Sequence, residues 1–168
     1  PGPDIRGPDP PDYDLIIVGG GVNGAGVARD AALRGLRVAL FEKGDFGQGA
    51  TGNSSGMIHG GPRDLLYDAK VTEPSCTDSG YIQRIAPHLL FRIPFLLPVS
   101  TRVPFAKTYL ELTEVFFKAY DKYQPLKQGK PSQRLTPEQV RRVEPGIHHD
   151  IVGAVAFDEW GIDCWRLV

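Results

Sequence analysis

Residues 15–24 read LIIVGGGVNG, a short apolar run that ends in closely spaced glycines. The β-branched run Leu15–Val18 predicts a strand that is buried on both faces. Residues 22–34 are rich in alanine and predict a helix that stops at Gly35. Because a second apolar run, Val38–Phe41, follows directly, the pattern predicts a βαβ unit with two parallel strands.

Three glycines in this stretch, Gly19, Gly21 and Gly24, have the G-x-G-x-x-G spacing of a dinucleotide-binding bend. The first allows the tight turn, the second lets a pyrophosphate approach the backbone, and the third lets helix and strand pack closely. The helix that begins here directs free N–H groups and the positive end of its dipole at the phosphates. Val22 and Asn23, inside the same bend, are further candidate contacts to the cofactor.

A carboxylate, Glu42, stands at the end of the second predicted strand, where it can accept hydrogen bonds from a ribose diol. A carboxylate at this position favours an unphosphorylated ribose, which points to NAD or FAD and away from NADP. Lys43, the next residue, is a further candidate contact to the cofactor. The bend alone leaves NAD and FAD open.

Residues 49–61, GATGNSSGMIHGG, contain five glycines and almost nothing that can build a core. Such glycines permit close approach of a ligand, and the hydroxyls of Thr51, Ser54 and Ser55 can bond phosphate or ribityl oxygens. An extended flavin dinucleotide would use a second backbone cradle of this kind. A flexible surface loop of the same composition is the alternative.

Two side chains beside this cradle have two possible roles each. His59 either contacts a flavin or substrate, or anchors the loop through hydrogen bonds. Arg63 either binds an anionic substrate or pairs with the neighbouring Asp64. The two adjacent histidines at 148–149 have no third candidate ligand nearby, so we predict no metal site.

The remaining sequence predicts a mixed set of elements. They are a helix at 76–90, a short edge strand at 95–99, a helix at 106–122, a helix opened by a capping box at 136–139, a strand at 151–157 and a last short helix at 164–168 capped by Asp163. For the helix at 106–122, the spacing of the apolar residues predicts a core face made of Leu112, Val115, Phe116 and Ala119.

Composition narrows the class of protein. The chain of 168 residues is 41% hydrophobic, with a net charge of −1, so it is globular and lacks the basic field of a nucleic-acid binder. Its two cysteines predict neither zinc nor a disulfide framework, which favours a reducing, cytoplasmic location. Residues 1–12 predict a disordered leader. Because only two parallel strands can be identified, we expect a truncated sheet and a truncated chain.

Five stretches taken together resemble the FAD-dependent glycerol-3-phosphate dehydrogenases of the bacterial type, within the D-amino-acid-oxidase-like flavoproteins. They are residues 14–46, 54–63, 82–99, 141–155 and 162–168. The resemblance implies an α/β fold in which a Rossmann-like FAD-binding βαβ unit and flavin loop occupy 13–70. Residues 71–168 would then be the incomplete, mixed α+β part of the FAD and substrate domain.

The resemblance also implies an activity and a set of site residues. A substrate such as glycerol 3-phosphate or a related three-carbon compound would pass a hydride to the flavin, and electrons would go on to a quinone. By position, the adenosine half would be held by Gly19, Gly21, Gly24 and Glu42, the flavin half by Thr51, Ser54, Ser55, Met57 and His59, and the substrate phosphate by Arg63. The proton acceptor would lie beyond Val168, so no catalytic residue is assigned.

One residue departs from the family pattern, and other interpretations of the chain stay open. Asp64 replaces an aromatic residue that commonly follows the arginine, and its charge would repel a phosphate, so another polyol or hydroxy acid is an alternative substrate.

An NAD-linked dehydrogenase domain and a non-catalytic nucleotide-binding fragment are the alternative functions. The family resemblance also implies attachment to the inner face of the cytoplasmic membrane. Residues 91–127 mix aromatic and basic residues that suit such a surface, and a core-facing helix with a solvated back is the alternative.

Overall fold

The computed structural model describes residues 12–126, 129–147 and 150–168. These residues form two compact units, one that ends at Gly56 and includes Asp163–Val168, and one that spans Met57–Ile162. Except for Asp12, the predicted leader lies outside the described residues, as does the histidine pair at 148–149. The functional boundary placed after residue 70 stays a prediction.

The first unit contains the predicted βαβ arrangement. Strand β1 (Leu15–Val18), helix α1 (Val22–Leu33) and strand β2 (Val38–Phe41) follow one another along the chain. The two strands are parallel, and their register runs from Leu15 opposite Val38 to Val18 opposite Phe41. The parallel pairing predicted from the sequence is therefore confirmed.

Burial of β1 on both faces was a wrong prediction. Ile17 is buried, whereas Ile16 is 63% exposed, Val18 is 87% exposed and Phe41 in β2 is 60% exposed. Within the described residues this sheet has two strands, and α1 packs on both of them. A narrow sheet with one helix leaves its second face open, and the apolar residues on that face remain exposed.

The described residues of the second unit form an antiparallel sheet of three strands, β3 (Leu90–Ser100), β4 (Gln133–Leu135) and β5 (Ile151–Ile162). Their order is β3-β5-β4, which puts β5 in the centre and β3 at an edge, as predicted. Both β3 and β5 are longer than predicted, and β3 includes two prolines. Prolines are tolerated there because an edge strand leaves some of its N–H groups outside the ladder.

In the part of the second unit that the structure describes there are four α-helices. They are α2 (Asp64–Tyr67), α3 (Ala69–Ile85), α4 (Ala106–Asp121) and α5 (Pro137–Val143). Helix α3 begins seven residues before the predicted start, because the side chain of Asp68 caps it by accepting from the Lys70 amide. It ends before Pro87, where a 3-10 turn follows. The capping box of Thr136 and Gln139 is complete, so that prediction is confirmed.

The predicted core face of α4 is correct for Phe116, which packs against the core, and wrong for Leu112 and Val115. Those two side chains are each 63% exposed, whereas Leu110, Phe117 and Tyr120 are buried. The buried residues pack with Cys76 from α3, Val99 from β3 and Val155 from β5. Apolar residues lie on both sides of this helix, so helical spacing did not distinguish the two faces. No helix among the described residues is long and apolar enough to cross a bilayer.

The observed core face of α4 gives a paired test of stability. Leu110→Ala removes a side chain with no exposed surface and should lower the free energy of unfolding by about 2–5 kcal/mol. Leu112→Ala, on the same helix, should change it by less than about 0.5 kcal/mol because that side chain is exposed. Urea denaturation followed by circular dichroism measures both. A larger loss for Leu112→Ala would contradict the observed orientation of α4.

Candidate functional site

The G-x-G-x-x-G bend is a tight turn that leads directly into α1. Gly19 has φ of +107°, and its carbonyl oxygen would lie 1.9 Å from a Cβ atom built on Gly24. A side chain at Gly24 would therefore force the turn and the helix apart. The glycine spacing predicts these two features, a tight turn at Gly19 and close packing of helix and strand at Gly24.

The amino-terminal end of α1 has the features of an anion site. Gly21 is the N-cap residue and supplies no side-chain cap, and the first turn has no acidic residue. The Val22 amide donates to the Thr51 hydroxyl at 3.0 Å, which brings one predicted loop residue to the predicted bend. Asn23 is exposed beside them. Free amides and the positive helix end at this position attract a phosphate.

Glu42 lies beside the bend, as a ligand of a ribose must. Its two carboxylate oxygens accept from the Gly20 amide at 2.7 Å and from the Gly44 amide at 2.9 Å. The hydrogen bond from Gly20, followed by that from Gly44, lowers the pKa of Glu42 below its ordinary value. The side chain is therefore a carboxylate acceptor at neutral pH. Lys43, next to it, is exposed.

The hydroxyl-bearing loop of the first unit is held by its own hydrogen bonds. The Ser54 hydroxyl donates to the Thr51 carbonyl at 2.9 Å and accepts from the Gly56 amide at 3.2 Å. The Asn53 amide group donates to two carbonyls of the preceding turn. Ser55 is exposed in the same loop. These bonds give the loop a defined backbone path from which Thr51 and Ser54 extend.

A short carboxy-terminal helix, α6 (Cys164–Leu167), packs on this loop within the first unit. As predicted, the Asp163 side chain caps it by accepting from the Arg166 amide at 3.2 Å. The ring of Trp165 lies so close to Gly52 that a Cβ atom there would be 2.5 Å from it. The Cys164 sulfur lies 3.6 Å from the Ser54 hydroxyl. This contact between distant parts of the chain had no signal in the sequence.

Residues 57–61 form the second part of the predicted cradle and are called here the 57–61 segment. Met57 bridges to Gly161 of β5, and the Ile58 amide donates to the Trp160 carbonyl at 2.9 Å. The Ser79 hydroxyl of α3 donates to the Ile58 carbonyl. The segment is thus fixed by β5 on one side and by α3 on the other.

Gly60 lies against two buried side chains. A Cβ atom on Gly60 would be 2.1 Å from the Cys76 sulfur and 2.8 Å from the Tyr120 hydroxyl. The Gly60 amide donates to that hydroxyl at 3.0 Å. Only glycine allows the main chain to approach α3 and α4 this closely.

A buried carboxylate that the sequence analysis missed supports this contact. Tyr120 donates to Glu159 Oε1 at 3.0 Å, and each residue is 1% exposed. Burial first, and then the charge of Glu159, raises the pKa of Tyr120, so the phenol stays protonated. The available signal was a pair of adjacent acidic residues, Asp158 and Glu159, in the otherwise largely apolar strand sequence IVGAVAFDEWGI.

His59 lies in the middle of the 57–61 segment, and Arg63 lies two residues after it. Both side chains are exposed. His59 Nδ1 accepts from the Gly61 amide at 2.9 Å, so the proton of the neutral imidazole is on Nε2. Arg63 is the N-cap residue of α2. Among the residues that the structure describes, no ion pair joins Arg63 to Asp64. In the same residues, no group of three or more His, Cys, Asp or Glu side chains could hold a metal.

Comparison with known proteins identifies the class to which this fold and bend belong. The family described as FAD dependent oxidoreductase matches residues 14–168. The chain therefore belongs to this family, and its cofactor is FAD. This finding decides against the alternative of an NAD-linked dehydrogenase domain. The Rossmann-like α/β fold inferred from the family resemblance is confirmed.

Two particular relatives are dehydrogenases of phosphorylated polyols by name. The chain is 34% identical over 156 residues to a subunit of the anaerobic glycerol-3-phosphate dehydrogenase of Haemophilus influenzae, covering 92% of this chain and 26% of that protein. It is 43% identical over 93 residues to the D-erythritol 1-phosphate dehydrogenase of Brucella abortus, covering 55% of this chain and 18% of that protein.

A solved structure shares the fold. The L-alpha-glycerophosphate oxidase of Mycoplasma pneumoniae with FAD bound has a TM-score of 0.64 and 24% identity, covering 92% of this chain and 40% of that one. The chain spans about a quarter of the length of the anaerobic glycerol-3-phosphate dehydrogenase subunits of Haemophilus influenzae and Escherichia coli, with 26% and 27% of their lengths covered.

FAD fits the bend of this chain. A pyrophosphate needs close backbone approach, an N-cap residue without a side chain and no acidic residue in the first turn, and all three conditions are met at Gly21. The ribose needs an ionised acceptor beside the bend, and the geometry of Glu42 supplies it.

The close contact in the bend predicts different results for two neighbouring glycines of α1. Gly24→Ala should destabilise the protein by about 1–3 kcal/mol because the new methyl group meets the Gly19 carbonyl. Gly26→Ala should stabilise it by up to about 1 kcal/mol, since nothing lies within 4 Å of the added atom and alanine favours a helix. Thermal unfolding measures both. Equal effects of the two substitutions would contradict the proposed packing.

Proposed function

We propose that this chain is the FAD-binding part of a dehydrogenase that oxidises a secondary alcohol of a phosphorylated polyol. The observation that carries the proposal is the bend in which Gly24 packs on the Gly19 carbonyl with the Glu42 carboxylate beside it. Bound FAD supplies the acceptor for a hydride from the alcohol carbon. The chain's own residues bind and orient the cofactor and the substrate.

In this proposal, the residues of the bend hold the adenosine diphosphate half of FAD. Gly19, Gly21 and Gly24 let the pyrophosphate reach the backbone, and the amides at Val22 and Asn23 face it at the helix end. Glu42 accepts from the ribose diol once its bonds to backbone amides rearrange or are shared. Lys43 adds a positive charge near the phosphates.

The flavin half is assigned to the second cradle. Thr51, Ser54 and Ser55 are assigned to phosphate or ribityl oxygens through their hydroxyls, and Ser54 would have to release its proton from the Thr51 carbonyl to donate. Met57 and His59 contact the ring in this proposal, which is supported by the family resemblance and by the fixed backbone of the 57–61 segment. His59 would present a donor, since its Nδ1 atom already accepts from Gly61.

The substrate class follows from Arg63 and from the relatives. An exposed guanidinium bonds a phosphate well, and relatives of this chain act on glycerol phosphates or erythritol phosphate by name. Asp64 places a negative charge next to Arg63 and weakens its attraction for a dianion. We therefore favour a polyol phosphate or hydroxy acid that keeps its anionic group away from the Asp64 carboxylate.

The electrons would pass from reduced flavin to a quinone, which places the parent protein in the cytoplasm at the inner face of the membrane. The names of the relatives include both dehydrogenases and oxidases, and these two kinds of enzyme differ in their electron acceptor. The 168 residues should bind FAD, because every residue assigned to the cofactor lies among them.

FAD binding tests the proposal directly. Quenching of flavin fluorescence on adding the chain should give a saturable Kd for FAD, and excess NAD should not compete. Glu42→Gln should raise that Kd by roughly tenfold, because a charge-assisted hydrogen bond is lost. Asp30→Asn, which removes an exposed carboxylate on α1, serves as the control and should leave the Kd unchanged. Absence of FAD binding by the unaltered, folded chain would contradict the proposal.

The charge beside Arg63 predicts a change in substrate affinity. In the FAD-loaded chain, Asp64→Asn should tighten binding of glycerol 3-phosphate by about threefold to tenfold, and added salt should shrink the difference. Asp78→Asn, an exposed charge on α3, is the matched control. Perturbation of the flavin absorbance measures the affinity. Equal effects of the two substitutions would remove Asp64 from the substrate site.

A further inference from the structure

We infer that Tyr120 and Glu159 are a buried positioning pair that fixes the 57–61 segment and so presents His59 as a hydrogen-bond donor from Nε2. The pair touches neither a cofactor nor a substrate in this inference. It acts through the main chain of the segment on which His59 stands. That His59 faces the flavin or the substrate rests on the proposed function, whereas the contacts that orient it do not.

The direction of the Tyr120 hydroxyl proton follows from its two partners. A phenol has one proton and lone pairs that accept. The Gly60 amide is a donor at 3.0 Å, so the proton cannot point at it. Glu159 Oε1, also at 3.0 Å, is the acceptor for that proton. The carboxylate therefore makes Tyr120 a fixed acceptor for Gly60.

The other side of His59 is fixed as well. The Ile58 carbonyl accepts from Ser79, whose hydroxyl oxygen lies 3.5 Å from the side-chain amide of Gln83. The Ile58 amide is bound to the Trp160 carbonyl of β5. Peptide groups before and after His59 are thus both bonded to buried or partly buried groups of the second unit.

The held backbone orients the imidazole through a single further bond. Gly60 and Gly61 share a peptide, and the Gly61 amide donates to His59 Nδ1 at 2.9 Å. Any rotation of the Gly60 main chain would turn that amide away from the ring. While the contact holds, the neutral ring carries its proton on Nε2 and can only donate from that atom.

The composition of this cluster favours a positioning role over a role in stability alone. A buried carboxylate is costly, and hydrophobic residues of similar volume often stabilise a core as well or better. Phenylalanine at 120 would fill nearly the same volume beside Phe117. It would leave the Gly60 amide and the Glu159 carboxylate with one partner fewer each. Tyrosine and glutamate together supply a directed acceptor that apolar residues do not.

Two signals in the flavin-free chain test the inference. In Tyr120→Phe, the exchange rate of the Gly60 amide with deuterium should rise about tenfold or more relative to neighbouring core amides. The imidazole ¹⁵N resonances of His59, at a pH where the ring is neutral, should change from the Nε2–H form to a mixture of tautomers. Tyr109→Phe, an exposed tyrosine on the same helix, should alter neither signal.

Glu159→Gln keeps the test decisive if Tyr120→Phe does not fold. A glutamine amide can donate to the Tyr120 oxygen as well as accept from it, so the hydroxyl proton loses its single direction. We expect a smaller rise in Gly60 exchange, roughly threefold, and a partial change of tautomer. Unchanged Gly60 exchange and an unchanged His59 tautomer in a folded variant would overturn the inference. Lack of FAD binding by the unaltered chain would contradict the proposed function, while these two signals still decide whether the pair orients His59.

Discussion

The close approach of Gly24 to the Gly19 carbonyl decides how the first unit folds. With 1.9 Å between that oxygen and a Cβ atom at position 24, the turn after β1 and the start of α1 can pack only because there is no side chain. Next to this contact, the N-cap residue Gly21 has no side chain, and the Gly20 amide donates to the Glu42 carboxylate. A dinucleotide needs main chain without side chains at its pyrophosphate, and the tight turn between β1 and α1 needs the same glycines for its own packing.

In the second unit, too, main chain packs closely at a glycine where a side chain would not fit. At Gly60 the main chain approaches Cys76 and Tyr120, and buried polar groups fix the amides and carbonyls around it. The glycines of the opening bend and of the 57–61 segment therefore share a purpose, which is to bring main chain where a side chain would block it. Burial of Glu159 is the cost of holding Gly60 in place without a side chain of its own.

The parts of the fold that could be predicted from the sequence depend on local interactions. The strands and helix from Leu15 to Phe41 and the capping box at Thr136 involve residues close in the chain, and both predictions are confirmed. The buried face of α4 depends on packing against Cys76 and the sheet, so spacing within the helix could not identify it. The Tyr120–Glu159 contact spans 39 positions, so the acidic residues within β5 could not identify Tyr120 as the partner.

We propose that FAD binds the chain at the bend of residues 19–24. Hydrogen–deuterium exchange of the chain with and without FAD measures this directly. We expect slower exchange of the backbone amides at 19–24, with further protection in 51–61, and no change on adding NAD. Protection confined to other parts of the chain, or none at all in a chain that binds FAD, would contradict it.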